Sequence, residues 1–564
     1  MLGSPTSLFY NIYIAESITT QGKSWLSCAI MLFEATLANS VKFNSLNEIM
    51  VFIYNVLSEK PKRKYNDSMV LDCNIRVEEA FYKIMENADM MLWVPTEKEM
   101  MLVWERLNGL NQEDLNRLYY KNNLYNFCDM PVVQKLIVES LKALDQPFVD
   151  PNKPPKNMKP IIEEFYELIK EYVYYPFQYI DKIDRLSYMP RNIVGMAHTD
   201  SAFVSLDAWY RYVLDKVYNV PMNIKRERFR MLDFVDADEW GDRPKKLMYE
   251  LVEPKYDYDF YTDEVIEIHK RLTPTKMIPQ DTLRYAIINM MGYVISNIVV
   301  DYLDRYCKSN NSSTRADVPT RAVMKSELLC DSILLTENKA NYASVQAVQE
   351  GHVIPNTQQA RLNITGMPLT KTSLSDGTKK KLLDILYEDV MNTPNIDRLK
   401  VIKKLILVEK AIVKAIMAKD ISYYKPDNIA PIRSYEKNPM SINGIAASVL
   451  YNELRDDDMP KINLDERNFI IKIKLNINKN NVGLIEDKFP GVYDKLLKLM
   501  QHPVMKDKLS TIALPIGMEV PDWVLYFVDI STIVKDNLTN FPLESIGIKR
   551  LDNDNVNYTN IISL

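Results

Sequence analysis

The 564-residue chain has little of what builds metal–sulfur sites or disulfide frameworks. Its five cysteines (Cys28, Cys73, Cys128, Cys307 and Cys330) are widely spaced, no Cys-x-x-Cys occurs, and there are four histidines. A Cys/His zinc module and a disulfide scaffold are thereby excluded, and a reducing, cytosolic setting fits. The N-terminus lacks a basic segment ahead of an apolar stretch, so it does not read as a secretory signal. Long apolar runs are missing too. The longest, within residues 283–306, is broken by Asn289, Gly292 and Asn297. It reads as a core helix, and no membrane partner is expected. Positive charge is not in excess either: 70 Lys and Arg stand against 75 Asp and Glu, a net charge of −5. Any nucleic-acid contact must therefore come from local basic runs. Candidates are Lys379-Lys380-Lys381, Lys400 with Lys403-Lys404, and residues 60–64, each of which also reads as a solvated helix face or loop. No internal repeat is found.

The chain does have an ordinary globular composition, 47% hydrophobic and 26% charged, which argues against disorder. Its length allows more than one domain. The most informative stretch is Asn192-Ile-Val-Gly-Met-Ala-His198-Thr199-Asp200-Ser201-Ala-Phe-Val-Ser-Leu206. An apolar run enters, a polar tip follows and an alternating run leaves, which predicts a β-hairpin over 191–206 with Asp200 at its turn. Such a tip suits a divalent cation, since Mg²⁺ takes one or two fixed carboxylates plus substrate oxygens. A Thr-Asp-Ser tip is equally the composition of an ordinary turn.

The hairpin resembles the Tyr-Gly-Asp-Thr-Asp-Ser palm motif of family B DNA polymerases. Further segments resemble that family in its own order. Residues 2–11 run into Ala15-Glu16-Ser17-Ile18-Thr19-Thr20-Gln21-Gly22, similar to the segment and helix that follow the fingers. Met324-Lys325-Ser326-Glu327 and Lys339-Ala340-Asn341-Tyr342 are similar to the palm carboxylate segment and the Lys-Lys-Arg-Tyr motif. Ile364-Thr365-Gly366-Met367 with Thr370-Lys371-Thr372-Ser373 resembles the turn that opens the thumb. Asn438-Pro439-Met440-Ser441-Ile442-Asn443-Gly444, Leu450-Tyr451-Asn452, Ala513-Leu514-Pro515, Tyr526-Phe527-Val528-Asp529 and Pro542-Leu543 resemble the thumb and C-terminal pattern of the T-even-phage type. The family's Ser-Leu-Tyr-Pro-Ser-Ile segment, its Lys-x-x-x-Asn-Ser-x-Tyr-Gly helix and its Asp-x-Glu exonuclease signature are not found.

The resemblance implies an α+β fold: a partial palm of antiparallel sheet with helices, a mainly helical thumb, and a helical insertion. The implied segments are a post-fingers helix (1–48), an insertion (49–190), the palm with its hairpin (191–372) and the thumb with the C-terminal region (373–564). The insertion is expected to be removable without unfolding the rest. The hairpin is expected to share one sheet with residues 342–348, where Ala343, Val345 and Ala347 alternate with Tyr342, Ser344 and Gln346.

By the same resemblance the chain is the C-terminal subunit of a split, phage-encoded DNA polymerase, working in the cytoplasm of an infected bacterium. Asp200 is the implied catalytic metal ligand in a two-Mg²⁺ site that a partner's carboxylate completes, and Glu327 lends charge nearby. Lys339, Tyr342, Lys371, Lys379, Lys380 and Lys381 are implied DNA contacts. His198 replaces the family's first Asp and removes one negative charge, or is an inert turn residue. Thr199 lies between these two, and Ser201 reads as the residue that caps the turn. Ala340 and Asn341 replace the middle pair of Lys-Lys-Arg-Tyr, so one primer contact is missing. Implied partners are primer–template DNA, dNTP, a polypeptide carrying exonuclease, motif A and fingers, and a sliding clamp. A catalytically inactive polymerase-like DNA-binding or replisome scaffold is the alternative, and an unrelated helical DNA-binding protein is a third.

Overall fold

Local caps and apolar periodicity set the helices of the first part of the chain. The computed structural model describes residues 12–39, 42–59, 74–176, 191–197, 201–218, 280–309, 325–338, 341–370, 374–435 and 438–548. The chain divides into two compact units, residues 1–327 with 350–352, and residues 328–349 with 353–564. Unit 1 begins with α1 (Ile12–Leu37), α2 (Leu46–Ser58), α3 (Val77–Glu86) and α4 (Glu97–Asn108). Then come α5 (Gln112–Tyr120), α6 (Leu124–Cys128), α7 (Pro131–Lys142) and α8 (Lys159–Leu168), the last running on as a π-turn to Val173. α4 opens on a reciprocal capping box: the Glu99 amide donates to Thr96 Oγ1 (3.3 Å), and the Thr96 amide donates to the Glu99 carboxylate (2.8 Å).

After the hairpin strands β1 (Val194–Ala197) and β2 (Ala202–Val204) come α9 (Asp207–Tyr212) and the long α10 (Gln280–Ser309). α10 is apolar nearly all round, and by length and composition its residues 282–305 could cross a membrane. Its Ile287, Met290, Met291, Val294 and Ile298 are instead fully buried in unit 1, as the broken apolar run suggests. The polar interruptions have partners: Asn289 donates to the Phe148 carbonyl (2.7 Å), and the Trp209 indole of α9 donates to the Ile287 carbonyl (2.9 Å).

The expectation that residues 49–190 form a removable excursion is not met. Among the described residues, more than half of the buried apolar side chains of unit 1 come from this block, and they share one core with α1, α9 and α10. Polar ties cross the same boundary. Tyr125 donates to the Leu37 carbonyl (2.8 Å), Tyr212 donates to Asp129 (2.8 Å), Lys170 pairs with Asp301 (3.0 Å) and Arg305 pairs with Glu59 (2.9 Å). Within the block, buried Arg117 donates to the Val56 carbonyl (2.6 Å) and Lys121 to the Glu171 and Tyr174 carbonyls (3.0 Å each). Burial pushes the Lys121 ammonium down to about 8.

Unit 2 is built on two antiparallel sheets. In the first, β4 (Tyr342–Gln349) pairs with β3 (Leu328–Leu335) and β5 (Leu362–Thr365), and a two-residue strand, His352–Val353, belongs to the same sheet. Tyr342 lies opposite Leu335 and Thr365. Residues 343–348 are buried on both faces, so the sequence alternation there marks a central strand and not a half-exposed one. In the second sheet β7 (Asn468–Lys474) lies between β6 (Lys425–Ile429) and β8 (Thr511–Pro515). Helices α11 (Asp376–Ile385), α12 (Arg398–Met417), α13 (Asn443–Leu454), α14 (Pro490–Gln501) and α15 (Ile530–Leu538) complete the unit. The helical stretch that opens with α11 is interrupted around Pro394, and α12 starts where Asp397 accepts from the Lys400 amide (3.0 Å). With helices and antiparallel strands throughout, the fold is α+β.

Several of the motifs noted in the sequence turn out to pack this unit. A Cβ on Gly444 would lie 2.6 Å from Ile429 Cγ2, so only glycine lets α13 approach β6 this closely. Tyr451 donates to the Pro460 carbonyl (2.7 Å), and Asn452 exchanges two hydrogen bonds with the Ile462 backbone. Asp529 caps α15 through the Thr532 amide (3.0 Å). Gly444→Ala should therefore destabilise unit 2 by about 1–3 kcal/mol. Gly491→Ala, in open space near the start of α14, should be neutral or stabilising by up to ~1 kcal/mol. Thermal unfolding of the two variants reads the difference, and equal melting would remove the packing argument.

Candidate active site

The hairpin is built by three devices. Ala197 pairs with Ala202, Met196 with Phe203 and Val194 with Val204, so the register slips by one residue and leaves a bulge at Gly195. A bulge bends and twists a hairpin locally, and so helps to aim its tip. At the base the Ser205 amide donates to the Ile193 carbonyl (2.8 Å). The third device is Glu34 of α1, which is almost wholly buried. One of its carboxylate oxygens accepts from the Ile193 and Val194 amides (2.9 and 2.8 Å), the other from the Asn192 amide (3.0 Å). A carboxylate satisfied by three backbone donors fixes the root of the hairpin on α1, through charge-assisted bonds stronger than neutral ones.

Sequence reasoning missed Glu34. Its signal was present: it is the single charge in Ala29-Ile-Met-Leu-Phe-Glu34-Ala-Thr-Leu37, and a charge is tolerated in such a run only when it has partners.

Four residues separate the paired ends of the hairpin in sequence. His198, Thr199 and Asp200 lie outside the described residues, and Ser201 is exposed just before β2. Among the described residues the hairpin strands pair only with each other. The expectation that they share a sheet with residues 342–348 is corrected: that segment is β4, in the sheet of unit 2. Glu34 accepts the amides of residues 192–194 at the root of the hairpin, which would otherwise seek carbonyl partners.

Glu327 is exposed at the entry to β3, and its backbone carbonyl accepts from the Glu350 amide (2.8 Å). Among the described residues no three His, Cys, Asp or Glu side chains come together as a metal site would require. Tyr342 opens β4 and is half-buried. Lys339 and Lys371 lie outside the described residues. Lys379, Lys380 and Lys381 are on α11, the last two exposed. Lys379 and Lys380 border a cleft of about 600 Å³ floored by Leu362, Ile364, Leu369 and Leu383.

The second basic run proves different from its sequence reading. Lys400 (2.9 Å) and Lys404 both pair with buried Asp389, and Lys404 also pairs with Glu388 (3.3 Å). Burial pushes the Asp389 carboxyl up, but its bonds to Lys404 and Lys400 outweigh this and hold it below the usual aspartate value. α12 also turns Lys403, Lys410 and Lys414 outward, interleaved with exposed Leu399, Leu407 and Met417.

A family model described as Divergent Family B DNA polymerase matches residues 260–563, just over half of the chain. The chain belongs to this family. No curated protein matches it. For this divergent family B member, Glu327, Tyr342 and the α11 and α12 lysines fall inside the matched span, whereas the hairpin and Glu34 lie upstream of it. The family therefore bears most directly on α10 and unit 2, and the hairpin's role rests on its own geometry and sequence.

Proposed function

We propose that the chain supplies the metal-binding hairpin, the primer-side palm contacts and the thumb of a phage DNA polymerase. It would act in the cytoplasm of the infected bacterium as the C-terminal subunit of a split enzyme. What carries the reading is a bulged hairpin rooted on a buried carboxylate, with Asp200 in its four-residue connection, in a chain of the family B polymerases. A single tip carboxylate beside substrate phosphates suits Mg²⁺, which binds through few protein oxygens. Two such ions would activate the primer 3′-hydroxyl and neutralise the triphosphate. Asp200 would hold them together with a carboxylate from the polypeptide carrying exonuclease, motif A and fingers, and Glu327 would add negative charge. Lys339, Tyr342 and Lys371 would contact the primer strand. Lys379 to Lys381, joined by the outward lysines of α12, would meet duplex phosphates, which position DNA without reading its sequence.

Primer extension tests this. The chain alone should extend no primer, and the complementary polypeptide should restore Mg²⁺-dependent synthesis. Asp200→Asn should remove that synthesis while leaving assembly intact, and His198→Ala should do far less. Robust extension by the chain alone would overturn the split-enzyme reading. The substitutions His198 and Ala340 favour one second reading, an inactive polymerase-like scaffold. DNA binding without synthesis, even with the complement present, would replace the first reading by that one.

A further inference from the structure

We infer that the turn joining α3 to α4 is a docking site for a basic amphipathic helix of a partner protein. The turn exposes four apolar side chains in close succession: Met90 and Leu92 at 59% each, Met91 at 86% and Val94 at 65%. Such a cluster is unusual for a surface without a partner, whereas single exposed apolar residues are ordinary. It is also an ordered feature. The Met91 amide donates to Asp89 Oδ1 (3.3 Å), and the Leu92 and Trp93 amides donate to the Asp89 carbonyl (2.9 and 2.8 Å). Upstream, Phe43 and Ala88 form a bridge in which the Phe43 amide donates to Asn87 O (2.7 Å) and the Asp89 amide to Phe43 O (2.6 Å). The capping box of α4 fixes the other end. The backbone is thus held while the apolar side chains face water, so little ordering remains to be done on binding.

The flanking helices carry the same character. Tyr82 of α3 is 70% exposed, and Met101 and Leu102 lie on the outward face of α4 in line with Lys98 and Glu105. Charge then selects the occupant. Residues 76–114 contain nine Asp and Glu against four Lys and Arg, and Glu78, Glu86, Glu97 and Glu105 are exposed among them. A polyanion is repelled by such a surface, so nucleic acid is disfavoured. A helix with apolar residues at i, i+3, i+4 and i+7 and flanking Lys or Arg matches both the apolar turn and its acidic surround. The three methionines suit such a surface, because their flexible thioethers re-pack around a helix face. A second copy of this chain could offer the outward face of α12. That contact would join two different surfaces and would show as concentration-dependent assembly of the chain.

The probe is a 20-residue helical peptide with leucines on one face and lysines on the other, added to the full chain at physiological ionic strength and followed by fluorescence anisotropy. Saturable one-to-one binding is expected. The double variant Met91→Ser/Leu92→Ser should weaken it at least tenfold without changing the circular-dichroism melt. Leu399→Ser/Leu407→Ser should leave it unchanged, and a peptide with glutamate for lysine should not bind. Three results would overturn the inference. The first is equal binding to parent and Met91→Ser/Leu92→Ser chains, which makes the peptide a mere counterion. The second is a concentration-dependent assembly of the chain that this double variant dissolves, which makes the occupant a second copy. The third is DNA displacing the peptide from the parent chain but not from that variant.

Discussion

Excising residues 49–190 and joining the ends by a short linker should abolish the cooperative unfolding of unit 1 while leaving that of unit 2. The two units have separate hydrophobic cores, and the excised block contributes more than half of the buried apolar side chains described in the first. Each buried Leu, Ile, Val or Phe contributes about 1.5–3 kcal/mol, and a domain's net stability is only about 5–15 kcal/mol. Losing Ile137, Leu141, Phe148, Phe165 and Tyr172 alone is comparable to that margin, and the block holds many more such side chains. Excision would also strip the Asn289 amide of the Phe148 carbonyl, the Leu37 carbonyl of the Tyr125 hydroxyl, and Asp301 and Arg305 of Lys170 and Glu59. Calorimetry of the parent and the excised chain reads the outcome. A unit-1 transition within a few degrees of the parent would show that the block is a dispensable excursion after all.

Glu34→Ala should cost about 3–9 kcal/mol. It leaves three amides, two of them buried, without the acceptor that satisfied them, at about 1–3 kcal/mol each. Glu34→Gln is the more telling change. It keeps an oxygen for Ile193 and Val194 but turns an NH₂ towards the Asn192 amide, donor against donor. A loss of about 2–3 kcal/mol, a fall in melting temperature of roughly 4–12 °C, is expected. On the proposed reading, the same variant in the reconstituted enzyme should lower kcat by about 10²-fold with KM little changed, since an Asp200 carboxylate displaced by about 1 Å forfeits alignment and not binding. Unchanged melting for Glu34→Ala would mean the anchor does not operate. A destabilised Glu34→Gln enzyme with normal kcat would mean the hairpin does not carry the chemistry.

Where pattern and structure coincide, the information was local. The hairpin strands, the core helix around Met290 and Met291, and the strand of residues 342–349 each follow from periodicity within a dozen residues. What could not be read was who pairs with whom. Nothing near residue 194 says that its backbone amides find a carboxylate 160 residues earlier. Nothing in Lys400 and Lys404 says that Asp389, on the preceding helical segment, neutralises both. Alternation in β4 marked it as a strand but could not tell one covered face from two. Gly444, Tyr451 and Asp529 were legible as motif positions, and the structure gives them a packing, a bonding and a capping role in unit 2. The block of residues 49–190 was recognisable as mainly helical, but its sequence carries no mark of the core it shares.

The span between Glu34 and its amides also sets an order of events during synthesis. At about 5–20 residues per second, the chain from residue 34 to residue 192 takes roughly 8–30 s to emerge. Throughout that interval the carboxylate on α1 has no native partner and must stay hydrated, so α1 cannot finish burying this face. Closing so long a loop unaided would cost about 4–5 kcal/mol of chain entropy. If residues 49–176 collapse first, the ends are brought together and most of that cost is already met. The hairpin root would then be locked among the last parts of unit 1, after the helices that frame it, and the emerging chain would hold no anchored hairpin until that closure.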